Sequence, residues 1–155
     1  MGGRRQYDDV LTQPLQNSLV YETLKQANVV LVTAMPVVSL DHVQLAMPPG
    51  REDEARAFYE RVLQIPEAKK PLNLAKRGGC WFERGPLKIH LGVDSDFRAA
   101  KKAHPAFIVE DLADLSGRLA NAGFPVRSEE PLEGYTRIYV DDPFGNRIEF
   151  MEPLS

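Results

Sequence analysis

The sequence predicts an α+β protein in which one supersecondary unit occurs twice. Two segments have the apolar spacing of a helix, and each lies among short segments with the two-residue alternation of strands. The order strand, helix, strands occurs once before and once after a polar, lysine-containing connector at 94–102. With 155 residues, of which 43% are hydrophobic and 26% charged, the chain is long enough for one such core. We therefore expect two modules, at about 39–93 and 103–152.

The first module begins with a strand over 39–47 and a helix over about 52–64. His42 and Gln44 share one face of the strand. Three acidic residues open the helix, where negative charge suits the helix dipole, and Pro66 follows its end. The helical spacing of the apolar side chains predicts a buried stripe: Ala55, Phe58, Tyr59, Val62 and Leu63.

Three more segments complete this module. The segment 68–75 is ambiguous, and a short edge strand is one interpretation of it. Strands are predicted over 80–83 and 87–93, on either side of the turn Arg84-Gly85-Pro86. Period-two alternation in the last strand places His90 and Lys88 on its more polar face.

The second module repeats this order. A strand is predicted over 105–109, followed by a helix that Asp111 caps and Gly123 ends. A short strand is expected near Val126, and two longer ones over 136–140 and 147–151. The turn between the last two, Asp141-Asp142-Pro143-Phe144-Gly145-Asn146, is rich in turn-forming residues.

The two modules align residue by residue at their ends. With His90 set against Glu149, Ile89 meets Ile148 and Lys88 meets Arg147. In the same way, His42 and His104 both lie at the start of the first strand of their module. An internal repeat of this kind predicts two pseudo-symmetric copies of one unit.

The chain's three histidines and one carboxylate therefore occupy repeat-equivalent positions: His42, His90, His104 and Glu149. If the strands curl into one sheet, these side chains can converge on its concave face. Three imidazoles and a carboxylate suit one divalent transition metal, with zinc, iron, nickel and manganese all compatible. Such an ion polarises a substrate oxygen or acidifies water. The alternative is four unrelated polar residues at strand ends.

Several of these segments also resemble a known family. The motifs LDHVQLAMP, ARAFYERVL, KIHLGVD, KAHPAFIVEDLADLSGRLANAGF and DDPFGNRIEFME, spread over Leu40 to Pro153, are similar to those of the vicinal oxygen chelate (VOC) superfamily. Its members include glyoxalase I, methylmalonyl-CoA epimerase, fosfomycin-resistance enzymes, extradiol dioxygenases and bleomycin-binding proteins. The resemblance implies two βαβββ modules that form one curved mixed sheet, a cup with a metal site inside and helices on its outer face. It also implies a homodimer, with modules sometimes paired between chains.

The resemblance assigns His42, His90, His104 and Glu149 as metal ligands and Glu149 as the catalytic base. It implies a glyoxalase-like enzyme that binds vicinal oxygens of a small substrate, with lyase or isomerase chemistry through an enolate or oxyanion. One departure is His90, where the glyoxalase I pattern has Glu. The subset His42, His104 and Glu149 is similar to the triad of extradiol dioxygenases and fosfomycin thiol transferases, which remain alternatives. A non-catalytic drug-binding protein of the bleomycin-resistance type is a third.

Five other side chains are candidates for substrate binding. Trp81 could hold an apolar substrate, although core packing is the ordinary role of such a residue. Tyr139 could donate a hydrogen bond to a developing enolate. Arg77, Lys88 and Arg137 could bind a substrate carboxylate, although solvated surface charge is the ordinary interpretation.

Net charge, cysteine content and the length of apolar runs limit the partners and the location that we expect. The net charge of −3 gives no electrostatic reason to expect nucleic acid or an anionic membrane as a partner. Cys80 is the only cysteine, which excludes an intrachain disulfide and fits a cytoplasmic protein. The longest apolar run, 29–38, is too short to span a membrane.

Residues 1–38 differ from the rest, which we expect to be a single domain over 39–155. Leu11, Leu15 and Leu19 recur every four residues, so a short docking helix and a mobile extension are both compatible with this segment. A third interpretation is that the protein starts at Met35, where the sequence leads directly into a strand.

Overall fold

The computed structural model describes residues 36–154. Ser39–Ser155 forms one compact unit. The interpretations of residues 1–35, including the short helix and the start at Met35, lie outside the described residues. Within those residues, no helix is long and apolar enough to cross a lipid bilayer.

The first module contains a four-stranded sheet in the order β1-β4-β3-β2. β1 and β4, the first and last strands along the chain, pair parallel, and the other neighbours pair antiparallel. The predicted first strand is shorter than expected, because its ladder with β4 begins only at Val43, opposite Ile89. The strands are β1 (Val43–Met47), β2 (Glu67–Ala68), β3 (Trp81–Arg84) and β4 (Leu87–Val93).

The helix of this module changes its winding after one turn. α1 (Glu52–Ala55) continues as a π-helix over Arg56–Val62, where α-helix alone was predicted. The wider turns bring the backbone N–H of Leu63 to the carbonyl of Phe58 at 2.9 Å. The predicted apolar stripe still faces the core, where Phe58 and Tyr59 are fully buried. The ambiguous 68–75 segment contains the second residue of β2 and α2 (Leu72–Ala75), a single helical turn.

The second module forms a three-stranded sheet in the order β5-β7-β6. Its elements are β5 (Ala106–Ile108), α3 (Leu112–Asn121), β6 (Tyr135–Asp141) and β7 (Arg147–Pro153). The Asp111 side chain caps α3 by accepting the backbone N–H of Asp114 at 2.8 Å, as predicted. Next to Val126, where a short strand was expected, Arg127 makes an isolated bridge to Tyr139.

Strand register confirms the internal repeat. Gln44 pairs with His90 in the parallel ladder of the first module, and Ala106 pairs with Glu149 in that of the second. His90 and Glu149 therefore hold the same position in their modules, as the sequence alignment predicts. The α+β class and the two modules are confirmed. The strands are hydrogen-bonded as two sheets, one in each module, where we expected one continuous sheet.

A buried polar network joins the two modules at the turn before β7. Asp142 and Asn146 are 4% and 1% exposed, so their polar atoms depend on partners inside the protein. Asp142 accepts the phenol of Tyr59 at 2.8 Å and backbone N–H groups of Phe144 and Asn146. The Asn146 amide donates to the carbonyl of Ala46 at 2.8 Å in β1. The turn is thus fixed to the helix and the first strand of the other module.

We expect Asn146→Ala to lower the free energy of unfolding by about 3 kcal/mol, because several buried partners lose their hydrogen bonds at once. Urea denaturation followed by circular dichroism measures this. Asn121→Ala, at an exposed position of α3, is the matched control and should change stability by less than about 0.5 kcal/mol. Equal unfolding midpoints for the two variants would contradict the role of the network.

Candidate functional site

The carboxylate of Glu149 is the centre of a hydrogen-bonded cluster on the sheet of the second module. Glu149 is 6% exposed. Its Oε2 lies 3.1 Å from Nε2 of His104. Its Oε1 accepts the phenol of Tyr139 at 2.9 Å and Nη1 of Arg137 at 3.0 Å. The pairing of β6 with β7 places Tyr139 directly opposite Glu149, which explains their contact.

His104 is oriented by the backbone just before it. Its Nδ1 lies 2.9 Å from the carbonyl of Lys102, so this nitrogen is the N–H donor. The Nε2 atom is then directed to Glu149. A metal-ligating histidine usually donates its non-ligating ring N–H to a carbonyl or carboxylate, as Nδ1 of His104 does to Lys102, and Nε2 is then the atom that could face an ion. His104 and Glu149 therefore fit as two ligands of one ion.

Opposing effects act on the pKa of Glu149. Burial alone would raise it. Hydrogen bonds from Tyr139, His104 and Arg137 outweigh burial and hold the pKa of Glu149 below its ordinary value. The group is a carboxylate at neutral pH.

The equivalent place in the first module holds a stack of three rings. The imidazole of His90 lies 4.1 Å from the ring of Trp81, with nearly parallel planes, and 4.2 Å from the ring of His42. The Nε2 atom of His90 is buried without a hydrogen-bond partner, and Oε1 of Glu83 is 3.7 Å away. Burial and the neighbouring His42 lower the pKa of His90, so its neutral form is favoured.

The structure thus groups the four predicted ligands as two pairs. Across residues 36–154, no three His, Cys, Asp or Glu side chains lie close enough together to hold a metal ion. The rings of His42 and His90 are stacked, with an angle of 26° between their planes. One chain, in the part described, therefore carries two partial ligand sets.

Of the five predicted substrate-binding residues, Arg137 and Tyr139 join the Glu149 cluster and Trp81 joins the histidine stack. Lys88 instead bonds to Asp41 at 2.7 Å. Arg77 is exposed in the segment after α2.

Sequence reasoning gave no role to Arg147, which lies two residues before Glu149 on the same face of β7. Its guanidinium stacks on the ring of Tyr139, 4.1 Å from the centroid, and pairs with Glu129. The period-two spacing from Glu149 was the available signal for it.

A cavity of about 510 Å³ lies between the first strands of the two modules. Its walls are mostly apolar, and four residues add polar groups to them: Gln44, Arg98, His104 and Asn146. The cavity brings His104 next to space that a small molecule can occupy.

A βαβββ module followed by a βαββ module, with a histidine–carboxylate pair on the second sheet, is typical of the vicinal oxygen chelate class. The family model for the glyoxalase/bleomycin resistance protein/dioxygenase superfamily matches residues 39–150. The chain belongs to this superfamily. A comparison with curated proteins gives no significant match.

Solved structures agree with this membership. A protein from Bacillus anthracis assigned to the glyoxalase family is 47% identical, with a TM-score of 0.73 over 76% of this chain and 97% of its own. The fosfomycin resistance protein FosX from Listeria monocytogenes is 17% identical, with a TM-score of 0.62 over 76% and 95% of the two chains. A glyoxalase/dioxygenase from Nostoc punctiforme is 15% identical, with a TM-score of 0.61 over 79% and 100%. The last two share the fold.

The lowered pKa of Glu149 predicts a pH-dependent contribution to the stability of the metal-free protein. The stabilisation is fully present above the ordinary value of 4.5 and is lost as pH falls through the lower pKa of the folded state. We expect Glu149→Gln to be less stable than wild type at neutral pH, and this difference to shrink below pH 4.5.

Urea denaturation at a series of pH values, in the presence of a chelator, measures this difference. Glu152→Gln, on the opposite face of β7, is the control and should track wild type at every pH. A Glu149→Gln difference that stays constant with pH would contradict the prediction.

Proposed function

We propose that this protein is a metal-dependent, glyoxalase-like enzyme that binds vicinal oxygens of a small substrate and catalyses lyase or isomerase chemistry. The observation that carries the proposal is the buried Glu149 carboxylate beside the oriented Nε2 of His104. Imidazole and carboxylate are ligands that zinc, iron, nickel and manganese accept. A variant of FosX was solved with Mn(II) and 1S,2S-dihydroxypropylphosphonic acid, so the fold accommodates such an ion in another protein.

A second copy of the chain completes the metal site in this proposal. His104 and Glu149 of one copy would meet His42 and His90 of the other. The separation of the four residues into two pairs supports this, because neither pair alone supplies the three protein ligands of an ordinary catalytic metal site. Of the stacked pair, His42 is the more exposed, and its Nδ1 bonds to Asp41 at 3.0 Å, which leaves its Nε2 for an ion.

The bound ion would polarise the adjacent oxygens of the substrate and stabilise an enolate or oxyanion. The residues around it have separate tasks. Glu149 is a carboxylate with a lowered pKa, so it is available as ligand and as proton acceptor. The Tyr139 phenol, 2.9 Å from Oε1, orients that carboxylate. The cavity that reaches His104 would hold the apolar part of the substrate away from water.

One observation favours a second candidate, a drug- or metabolite-binding protein without metal. Residues 36–154 of a single chain do not assemble three metal ligands, and the cavity between β1 and β5 is largely apolar. On this alternative, Arg137 takes the place of a metal as the cation beside Glu149.

Metal content separates the two candidates. We expect about one equivalent of zinc, iron, nickel or manganese per chain in protein purified without an affinity tag, measured by plasma mass spectrometry. Glu149→Gln should lose the ion, because its amide is a poor ligand, while the control Glu152→Gln keeps it. Wild type that stays free of metal after reconstitution would leave the binding protein as the explanation.

A mixing experiment tests whether two copies share the site. His42→Ala and His104→Ala should each bind no metal alone. A heterodimer of the two variants should recover about one ion, since one of its two composite sites keeps all four residues. Recovery can be measured after mixed refolding and separation through different tags. Heterodimers that form but bind no metal would show that the site lies within one chain.

A further inference from the structure

Arg137 holds a place in the cluster that a metal ion would also need. Its Nη1 lies 3.0 Å from Oε1 of Glu149 and 2.8 Å from the phenol oxygen of Tyr139. The Arg137 side chain is only 19% exposed. The guanidinium is a fixed positive charge, because arginine is not deprotonated in proteins.

The Glu149 carboxylate has little capacity left for another cation. Oε1 already accepts two donors, Tyr139 and Arg137, and Oε2 faces His104. A divalent ion bound between His104 and Glu149 would lie within a few ångströms of the guanidinium. Two like charges at that separation repel each other, most strongly where little water screens them. The ion and the guanidinium therefore compete for one carboxylate.

We propose that Arg137 is the internal counter-ion of Glu149 and that it sets the affinity and selectivity of the metal site by competing for this carboxylate. The proposal rests on the metal-binding function proposed above. In the metal-free protein Arg137 neutralises Glu149 and keeps it in place. Metal binding requires the guanidinium to move away, so only ions that bind this ligand pair strongly overcome the competition.

The guanidinium of Arg137 is also held on the side away from Glu149. Its Nε and Nη2 both donate to the backbone carbonyl of Glu130, with Nε at 3.2 Å. Because the guanidinium is planar and rigid, moving Nη1 away from Glu149 also disturbs these bonds, which adds to the cost that an ion must overcome. Arg147 binds Glu129 in the same segment, so the turn before β6 is tied to the site by two arginines.

Titration with Mn(II), with the free ion followed by electron paramagnetic resonance, tests the proposal in the full chain. Arg137→Gln removes the competing charge and keeps polar atoms for Glu130 and Tyr139. We expect it to bind Mn(II) at least about fivefold more tightly than wild type, the size of an ordinary coupling between two sites. Arg137→Lys retains the charge, so we expect its affinity to stay near that of wild type.

Arg127→Gln is the control for a general change in electrostatic field. Arg127 pairs with Asp141 at 2.8 Å and does not touch Glu149. Its substitution therefore removes the same charge from the same module. Its affinity for Mn(II) should change less than that of Arg137→Gln. Thermal denaturation gives a second readout: metal-free Arg137→Gln should melt below wild type, and saturating Mn(II) should raise its melting temperature by more.

The possible failures are distinguishable. If wild type and Arg137→Gln bind Mn(II) equally, the counter-ion proposal is overturned and the metal-binding function stands. An equal gain in Arg137→Gln and Arg127→Gln also overturns it, because the effect is then one of net charge. If no variant binds Mn(II), zinc, nickel or iron(II), both this proposal and the metal-dependent function fail.

Discussion

The buried pair Asp142 and Asn146 is the constraint on which the rest of the structure depends. A turn that carries a buried carboxylate is costly unless its oxygens are satisfied, and here they accept donors from the turn itself and from Tyr59. Burial raises the pKa of Asp142 even so, although hydrogen bonds from Asn146 and Tyr59 oppose the shift. The network can form only when the π-helix that carries Tyr59, the strand β1 and the turn come together. The residue that follows the turn by three positions is Glu149, whose place is thereby fixed relative to the first module.

The two modules use one backbone plan for different electrostatic environments. At the position where β7 carries Glu149, β4 carries His90, and the neighbours differ to match. A buried carboxylate is surrounded by donors and a cation: His104, Tyr139 and Arg137. A buried imidazole is instead stacked between the rings of Trp81 and His42, which suits its neutral form. The repeat fixes where the polar side chains lie, and the local partners decide which charge each position can hold.

Sequence patterns predicted most of the fold because each signal was local. The stripe through Phe58 and Tyr59, the Asp111 cap and the alternation around His90 each depend on residues a few positions apart. The π-helix over Arg56–Val62 was not predictable in this way, since its apolar spacing also fits an ordinary α-helix. The bond between Tyr59 and Asp142 joins residues 83 apart. Its only sequence signal was a phenol within an otherwise apolar stripe, which needs a buried partner.

The candidate site depends even more than the fold on contacts between residues that are distant in sequence. Alignment of the repeats set His90 against Glu149 and His42 against His104, and strand register in the structure brings the two residues of each module together as a pair. It could not show whether the pairs meet, since that depends on how whole modules pack and, on our proposal, on a second chain. Nor could it show that Arg137 faces Glu149, because an arginine on an edge strand is ordinarily solvated. A buried carboxylate requires hydrogen-bond donors or a cation near it. In this protein Arg137 is that cation, so the proposed metal ion would have to displace an existing partner of Glu149 rather than fill an open place.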